Sequence, residues 1–366
     1  MLEVIKNNKI LICEVLIINI ISMLVIVGVP YSKEISRLNK IGYSLSSSIK
    51  IYKNKNYDYI KDNNYSEIID KCIKSDNLNN NYIDVYYKIK YKNIDNLMEV
   101  INSLIDKRYL INDINKIIDN YDAYLVDYLT NNKVDDISNY LDYKYFNSKN
   151  IDRYLKYFNG NYKDTIIDVN IGLDKEYYED PVIVNEYNKN MIVNKYNKLI
   201  NTFVPKKLSK IKKCTKDEYY LSEEANDAFH KLCEASIKDN MRISVSSAYR
   251  SYTEQEEIYN YYLEASGIKY ADSIAARPGF SEHQTGLAVD LVSLNSTYFI
   301  YSKEYQWMKK NAQKYGFILR YQSGKEDITG YNAEAWHFRY VGEEIAKYIY
   351  ENNITYEEYY AMNFGG

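Results

Sequence analysis

The sequence predicts an α+β C-terminal domain, preceded by a mostly α-helical region and an N-terminal transmembrane helix. Three observations carry this. From about residue 215 onward, short strand-like runs are interleaved with amphipathic helical stretches and turn signals. From about 33 to 160 there is no proline and little glycine, and apolar residues recur at helical spacing. Residues 10–29, ILICEVLIINIISMLVIVGV, are apolar over a length that spans roughly 30 Å as a helix, the thickness of a bilayer core.

Within the N-terminal run, Glu14 and Asn19 are the strongly polar interruptions. Lys6 and Lys9 precede it, which favours a cytoplasmic N-terminus, although Lys33, Arg37 and Lys40 follow. A cleaved signal peptide would need a shorter apolar core and a small-x-small site, which Val27-Gly28-Val29-Pro30-Tyr31-Ser32 matches poorly. Cys13 sits at the wrong end of the run for a lipoprotein site. The expectation is an uncleaved single-pass anchor over 1–32 in the cell membrane, with the rest of the chain on its outer side.

The region 33–160 carries helical sets at Ile94, Leu97, Met98, Val100, Ile101, Leu104 and at Ile114, Ile117, Ile118, Tyr121. Three Asn/Asp-rich breaks read alike: Lys92-Asn93-Ile94-Asp95, Asn112-Asp113-Ile114-Asn115 and Lys149-Asn150-Ile151-Asp152. They suggest short helical hairpins in degenerate repeats, a spacer or interaction region without a catalytic constellation. Residues 161–210 form a connector punctuated by Pro181 and Pro205, with Thr165–Ile171 expected as a strand.

The domain proper is expected over 211–355, with 356–366 as a tail. Ser222 with Glu223 and Glu224 marks a helix start, continued by Phe229, Leu232 and Cys233 on its inner face. Ile243–Ser247 is a strand. Thr253 to Glu256 is expected as the capping box of the next helix. Gly286–Val292 is a strand with Leu287, Val289 and Leu291 inward, which places Asp290 on the opposite face. Lys303–Tyr315 is a helix ended by Gly316. Phe317–Leu319 and Trp336–Val341 are further strands, and Gly342 opens a last helix.

Composition bounds the function. The 366 residues are 46% hydrophobic, enough for real cores, and the net charge of −3 argues against a nucleic-acid partner, because phosphate binding wants a basic surface. The four cysteines, Cys13, Cys72, Cys214 and Cys233, contain no CxxC pair, so a cysteine-based zinc site is not expected. A Cys214–Cys233 disulfide and four unpaired thiols both remain open.

Chemistry concentrates near the C-terminus. Two of the three histidines lie there, His283 ahead of Asp290 and His337 three residues after Glu334. Two imidazoles and one carboxylate leave Zn²⁺ an open position, as a catalytic zinc requires, and a second carboxylate can serve as general base. Glu334 and His337 are roughly 10 Å apart in extended chain, so a turn at Ala335 is expected to bring the carboxylate over the metal. Mid-helix His230 reads as an ordinary side chain. Arg250 directly follows a strand and can aim a cation at a developing oxyanion.

Three ordered motifs give a resemblance. Ser-x-Tyr-Arg-Ser-Tyr-x-x-Gln at 247–255, Arg-Pro-Gly-Phe-Ser-Glu-His-Gln-Thr-Gly-Leu-Ala-Val-Asp at 277–290, and Tyr-Gly-Phe-Ile-Leu-Arg-Tyr with Glu-x-Trp-His-Phe-Arg-Tyr-Val-Gly resemble the zinc D-alanyl-D-alanine carboxypeptidase family. That family includes the vancomycin-resistance D,D-carboxypeptidases and related L,D-carboxypeptidases of bacterial cell walls. The resemblance covers about residues 195–355. It implies a small antiparallel sheet with flanking helices. It implies His283, Asp290 and His337 as zinc ligands, Glu334 as general base on zinc-activated water, and Arg250 as oxyanion stabiliser. Ser281 and Gln255 would bind the terminal D-alanine, and Tyr331 and Trp336 would line the pocket. One departure is Ala335, where the family commonly has proline; the loosened turn costs on the order of 0.5–1 kcal/mol and removes no reacting group.

The expected function is removal of the terminal D-alanine from peptidoglycan stem peptides. The alternatives are an L,D-carboxypeptidase, a cross-link endopeptidase, or a non-catalytic cell-wall-binding module. A relic module would be expected to lose Glu334 or Arg250 first, and both are present.

Overall fold

The structure, a computed structural model, describes residues 33–364 apart from Asp95. It divides into two compact units, Met1–Asp142 and Tyr143–Gly366. The expectation of a transmembrane helix is corrected: among the described residues no helix is long and apolar enough to cross a membrane. The segment 10–29 on which it rested lies outside the described residues, as does Cys13.

The first unit is helical. The helices Leu97–Asp106 and Ile111–Asp119 carry the two apolar sets read from the sequence and bury Ile101, Leu104, Ile114 and Ile117 completely. Helix starts are fixed by side chains: Ser44, Ser66 and Asp122 accept from the backbone N–H of Ser47, Ile69 and Leu125. One kind of tie recurs in this unit. Lys50, Lys92, Lys107 and Lys116 each donate Nζ to a carbonyl 22 to 26 residues on, those of Ile73, Ile118, Asn131 and Ser138. Lysines thereby satisfy carbonyls in the last turns of following helices, where the helix dipole also favours a cation. One of the three look-alike breaks is not a break: Asn112–Asn115 lies inside the helix Ile111–Asp119.

The second unit holds a four-stranded antiparallel sheet of β1 (Ile243–Ser247), β2 (Ala288–Ser293), β3 (Phe317–Tyr321) and β4 (Glu334–Tyr340), in the order β1-β2-β4-β3. One face is apolar. Val289, Leu291, Phe317 and Phe338 pack with Phe229 and Leu232 of α2 (Glu223–Lys238) and Met308 of α4 (Lys303–Asn311). On the other face Ile318 packs with Ala346 and Ile349 of α5 (Glu343–Asn352) and with Tyr356 of α6 (Tyr356–Asn363). That second face also holds Arg320 and Arg339, both fully buried.

Three local readings change. Thr165–Ile171 is not a strand but part of α1 (Tyr162–Ile171), because Asn161 caps its start and Gly172, at φ 104°, closes its end on the carbonyls of Asp168 and Val169. Those caps outweigh the strand preference of a β-branched run. The capping box of α3 (Tyr252–Ser266) is Ser251 with Glu254, two residues before the expected start. The expected tail contains α6, opened by a second capping box, Thr355 with Glu358. Gly316 ends the segment after α4 as expected. Its φ is 79°, and a Cβ there would lie 2.7 Å from the Tyr340 ring.

Candidate metal centre and active site

The sheet register assembles the centre. Asp290 on β2 lies directly opposite His337 on β4, and Ser247 on β1 pairs with Asp290 from the other side. His283 arrives from the turn Glu282–Thr285 just before β2. Ser281 caps this turn by accepting from the His283 N–H, and Gly286 ends it at φ 68°. Glu334 reaches the same cluster without the expected turn at Ala335. The β3–β4 ladder slips, pairing Leu319 with Phe338 but Tyr321 with Glu334, so β4 contributes extra residues against β3. Strict alternation would put Glu334 and His337 on opposite faces; the bulge brings them to one, with Glu334 Oε2 3.6 Å from His337 Nδ1.

The hydrogen bonds fix what each ring nitrogen can do. His283 Nδ1 lies 2.6 Å from the carbonyl oxygen of Ala248, so it carries the proton and donates. Its Nε2 lone pair then faces Asp290 Oδ2 at 3.2 Å. His337 Nε2 lies 3.4 Å from Glu282 Oε2, an acceptor, so it too carries a proton. His337 Nδ1 then faces Asp290 Oδ1 at 3.1 Å. Three electron-rich atoms, within 4.8 Å of one another, converge on one point inside the protein. Such a set needs a cation at its centre.

Burial and the neighbouring charges set the titration of each group. Burial lowers the His337 pKa, but hydrogen bonds to Asp290 and Glu282 and the nearby carboxylate charges outweigh it and hold the group up at about 9. Burial, reinforced by the Arg250 charge, lowers His283 to about 4 and keeps it neutral. Burial raises Asp290, but the two imidazoles carry it well below the usual carboxylate range. Burial, assisted by the Asp290 charge, lifts Glu334 to about 7, against the pull of His337 and Arg250. A carboxylate poised there suits proton transfer at neutral pH.

Arg250 is held beside the cluster. Its Nη1 donates to Ser247 Oγ at 2.8 Å and its Nε to Gln255 Oε1 at 3.0 Å, and its Nη1 lies 3.7 Å from Asp290. Gln255 in turn donates to the Ala276 carbonyl at 2.8 Å. Arg250, Gln255 and the His283–Asp290–His337 cluster line one cavity of about 200 Å³ with Tyr262, Tyr331 and Trp336. Trp336 is 45% exposed, the rim of a site whose other polar groups are largely buried.

Residues 218–343 match the VanY family, described as D-alanyl-D-alanine carboxypeptidase. A bifunctional D-Ala-D-Ala dipeptidase and D-Ala-D-Ala carboxypeptidase of Enterococcus gallinarum is 34% identical over 151 residues, covering 39% of this chain and 78% of that protein. The chain belongs to the zinc D-alanyl-D-alanine carboxypeptidase family. The Bacillus subtilis protein YodJ is 42% identical over 146 residues, 38% of this chain and 54% of YodJ. A crystallised vancomycin-resistance D,D-pentapeptidase in complex with Zn(II) is 31% identical, covering 47% of this chain and 98% of its own, with a TM-score of 0.42. The chain spans about half the length of the first curated relatives it matches.

All nine residues singled out from the sequence as family site residues line the one cavity. Their surroundings differ in detail from expectation. Gln255 spends its carbonyl on Arg250. Cys214 and Cys233 are unpaired thiols, as is Cys72. His230 stands apart, its Nε2 accepting from the Lys212 N–H. Sequence reasoning missed a buried charged group behind the centre: Glu282, Arg320, Arg339 and Glu357. Two arginines alternating with apolar residues inside strands, in Phe-Ile-Leu-Arg-Tyr and Trp-His-Phe-Arg-Tyr, were the available signal. Their partners lie 37 to 57 residues away in sequence.

Zinc held by His283, Asp290 and His337 would have to displace a proton from His337, whose pKa is raised to about 9. Its affinity is therefore expected to rise by about tenfold per pH unit up to about pH 9 and then level off. Competition titrations against a chelating dye at several pH values check this, and a flat profile would contradict the protonated His337.

Proposed function

We propose that the second unit is a zinc-dependent D,D-carboxypeptidase that removes the terminal D-alanine from peptidoglycan stem peptides. The observation that carries this reading is the convergence of His283, Asp290 and His337 on one point, with Glu334 and Arg250 on the walls of the same cavity. The three ligands would hold Zn²⁺. When bound, the ion supplies a positive charge next to the attacking water and the scissile carbonyl.

The chain's own residues do the rest. Glu334 accepts a proton from the water as its oxygen adds to the carbonyl carbon. It returns that proton to the leaving D-alanine nitrogen as the C–N bond breaks. The Arg250 guanidinium is pinned by Ser247 and Gln255, so it meets the oxyanion without reorganising. Ser281 Oγ accepts from the His283 N–H and keeps its own proton to donate to the substrate's terminal carboxylate. Tyr331 and Trp336 flank the D-alanine side chain. We place this activity outside the cytoplasmic membrane, where that substrate lies.

The test is D-alanine release by the full chain, zinc-loaded, from stem pentapeptides ending in D-Ala-D-Ala and from tetrapeptides, with and without chelator. Release from pentapeptides that stops with chelator is the expected result. Preference for tetrapeptides would move the assignment to L,D-carboxypeptidase. No release from either would turn it towards a cross-link endopeptidase or a binding module.

A further inference from the structure

Behind the metal centre lies a set of charges that none of the proposed chemistry uses. Glu282 is 1% exposed, and Arg320 and Arg339 are completely buried. Glu282 Oε1 accepts from Arg320 Nε and from Arg339 Nη1, both at 2.9 Å. Arg320 turns its remaining nitrogens to Glu357 on α6, with Nη1 2.8 Å from Oε2. Arg339 spends its other nitrogens on the carbonyls of Met191 and Tyr340, at 2.7 and 3.0 Å. Two carboxylates and two guanidiniums thus balance one another away from water. Burial of this kind costs desolvation that a well-packed apolar cluster would avoid.

One oxygen in the set is left over. Glu282 Oε2 is not engaged by either arginine and lies 3.4 Å from His337 Nε2. The arginines hold this carboxylate charged and fixed, so its free oxygen presents an immobile acceptor to the imidazole. An imidazole that donates from Nε2 keeps its lone pair on Nδ1, the nitrogen that faces Asp290 at 3.1 Å. The Tyr321 ring, 5.0 Å from the imidazole between centroids, packs against it as well.

We infer that Glu282 is a positioning residue of the metal centre: it holds His337 as the Nε2–H tautomer with Nδ1 aimed at the metal, and the two arginines exist to hold Glu282. This rests on the metal reading given above. Carboxylate–histidine–metal arrangements gain ligand basicity and orientation in this way. The role differs from general packing, because Glu357 belongs to the same charged set but touches Arg320 and Asn194 rather than the imidazole.

That contrast supplies the experiment. Zinc affinity of the full chain is measured by dye competition for wild type, E282Q, E282D and E357Q, with thermal midpoints of the metal-free proteins alongside. 15N–1H spectra of the zinc-loaded proteins report which His337 nitrogen carries the proton. E282Q is expected to weaken zinc binding by about 10–100-fold and to lose the single Nε2–H signal. E357Q is expected to lower the midpoint while leaving zinc affinity close to wild type. Should E282Q not fold, E282D keeps a charge for the arginines but draws the carboxylate back from His337, and is expected to show the same loss. Wild-type affinity and an unchanged Nε2–H signal in E282D or E282Q would overturn the inference. So would equal losses in E282Q and E357Q that track stability. Failure of the wild type to take up zinc would instead remove the metal reading on which the inference stands.

Discussion

Glu334→Gln is expected to lower kcat by about 10²–10⁴-fold while zinc remains bound and the fold is unchanged. Glutamine keeps the size and hydrogen-bonding reach of glutamate but can neither take a proton from water nor pass one to the leaving nitrogen. The pKa of about 7 already means that Glu334 is neutral for part of the time near neutral pH, so losing its charge disturbs the buried cluster little. The metal set His283, Asp290 and His337 does not include it. The same pKa gives a sign. Activity should rise with pH as Glu334 loses its proton, with bound zinc moving that limb below 7, and the limb should vanish in the variant. Steady-state rates on a D-Ala-D-Ala pentapeptide, with zinc content measured on the same sample, check both. A loss smaller than tenfold would assign the proton transfers to another group.

His337→Ala should act differently, removing the metal and the rate together. His337 would supply one of three ligand atoms, and its pKa is held up at about 9, against burial, by hydrogen bonds to Asp290 and Glu282. Alanine leaves Asp290 and Glu334 facing each other in a buried site with no cation of their own beyond Arg250. Breaking such a buried charge pair costs up to about 3–5 kcal/mol, so the thermal midpoint should fall as well. Zinc stoichiometry after dialysis, activity and a melting curve form the test. Full zinc occupancy in the variant would mean that the ligand set has been misassigned. The pair of variants separates the roles: one keeps the metal and loses the chemistry, the other loses both.

The fold was legible wherever local pattern and tertiary packing agree. β2 and α2 followed from alternation and helical spacing, and the Gly316 stop followed from a glycine at the end of an amphipathic run. It was not legible where caps decide between states that composition leaves close. Thr165–Ile171 is β-branched and strand-like in isolation, yet Asn161 and Gly172 close it as a helix. The segment after 355 looked like a tail because its burial depends on partners from other parts of the chain, among them Arg320 and Ala346.

By itself the sequence singled out the residues that the structure brings together around one cavity. Histidines are rare in this chain, and their placement beside Asp290 and Glu334 in ordered motifs points to one chemistry. Only the tertiary structure decided how those groups are held. Whether Glu334 reaches His337 depends on a register slip between β3 and β4, and ladder register is a property of two strands rather than of either sequence. His337 turns Nε2 to Glu282 and Nδ1 to Asp290, and Glu282 is itself held by arginines 38 and 57 residues away. Side-chain chemistry is written residue by residue. Tautomer, pKa and orientation arise from burial and from partners that meet only when the chain has folded.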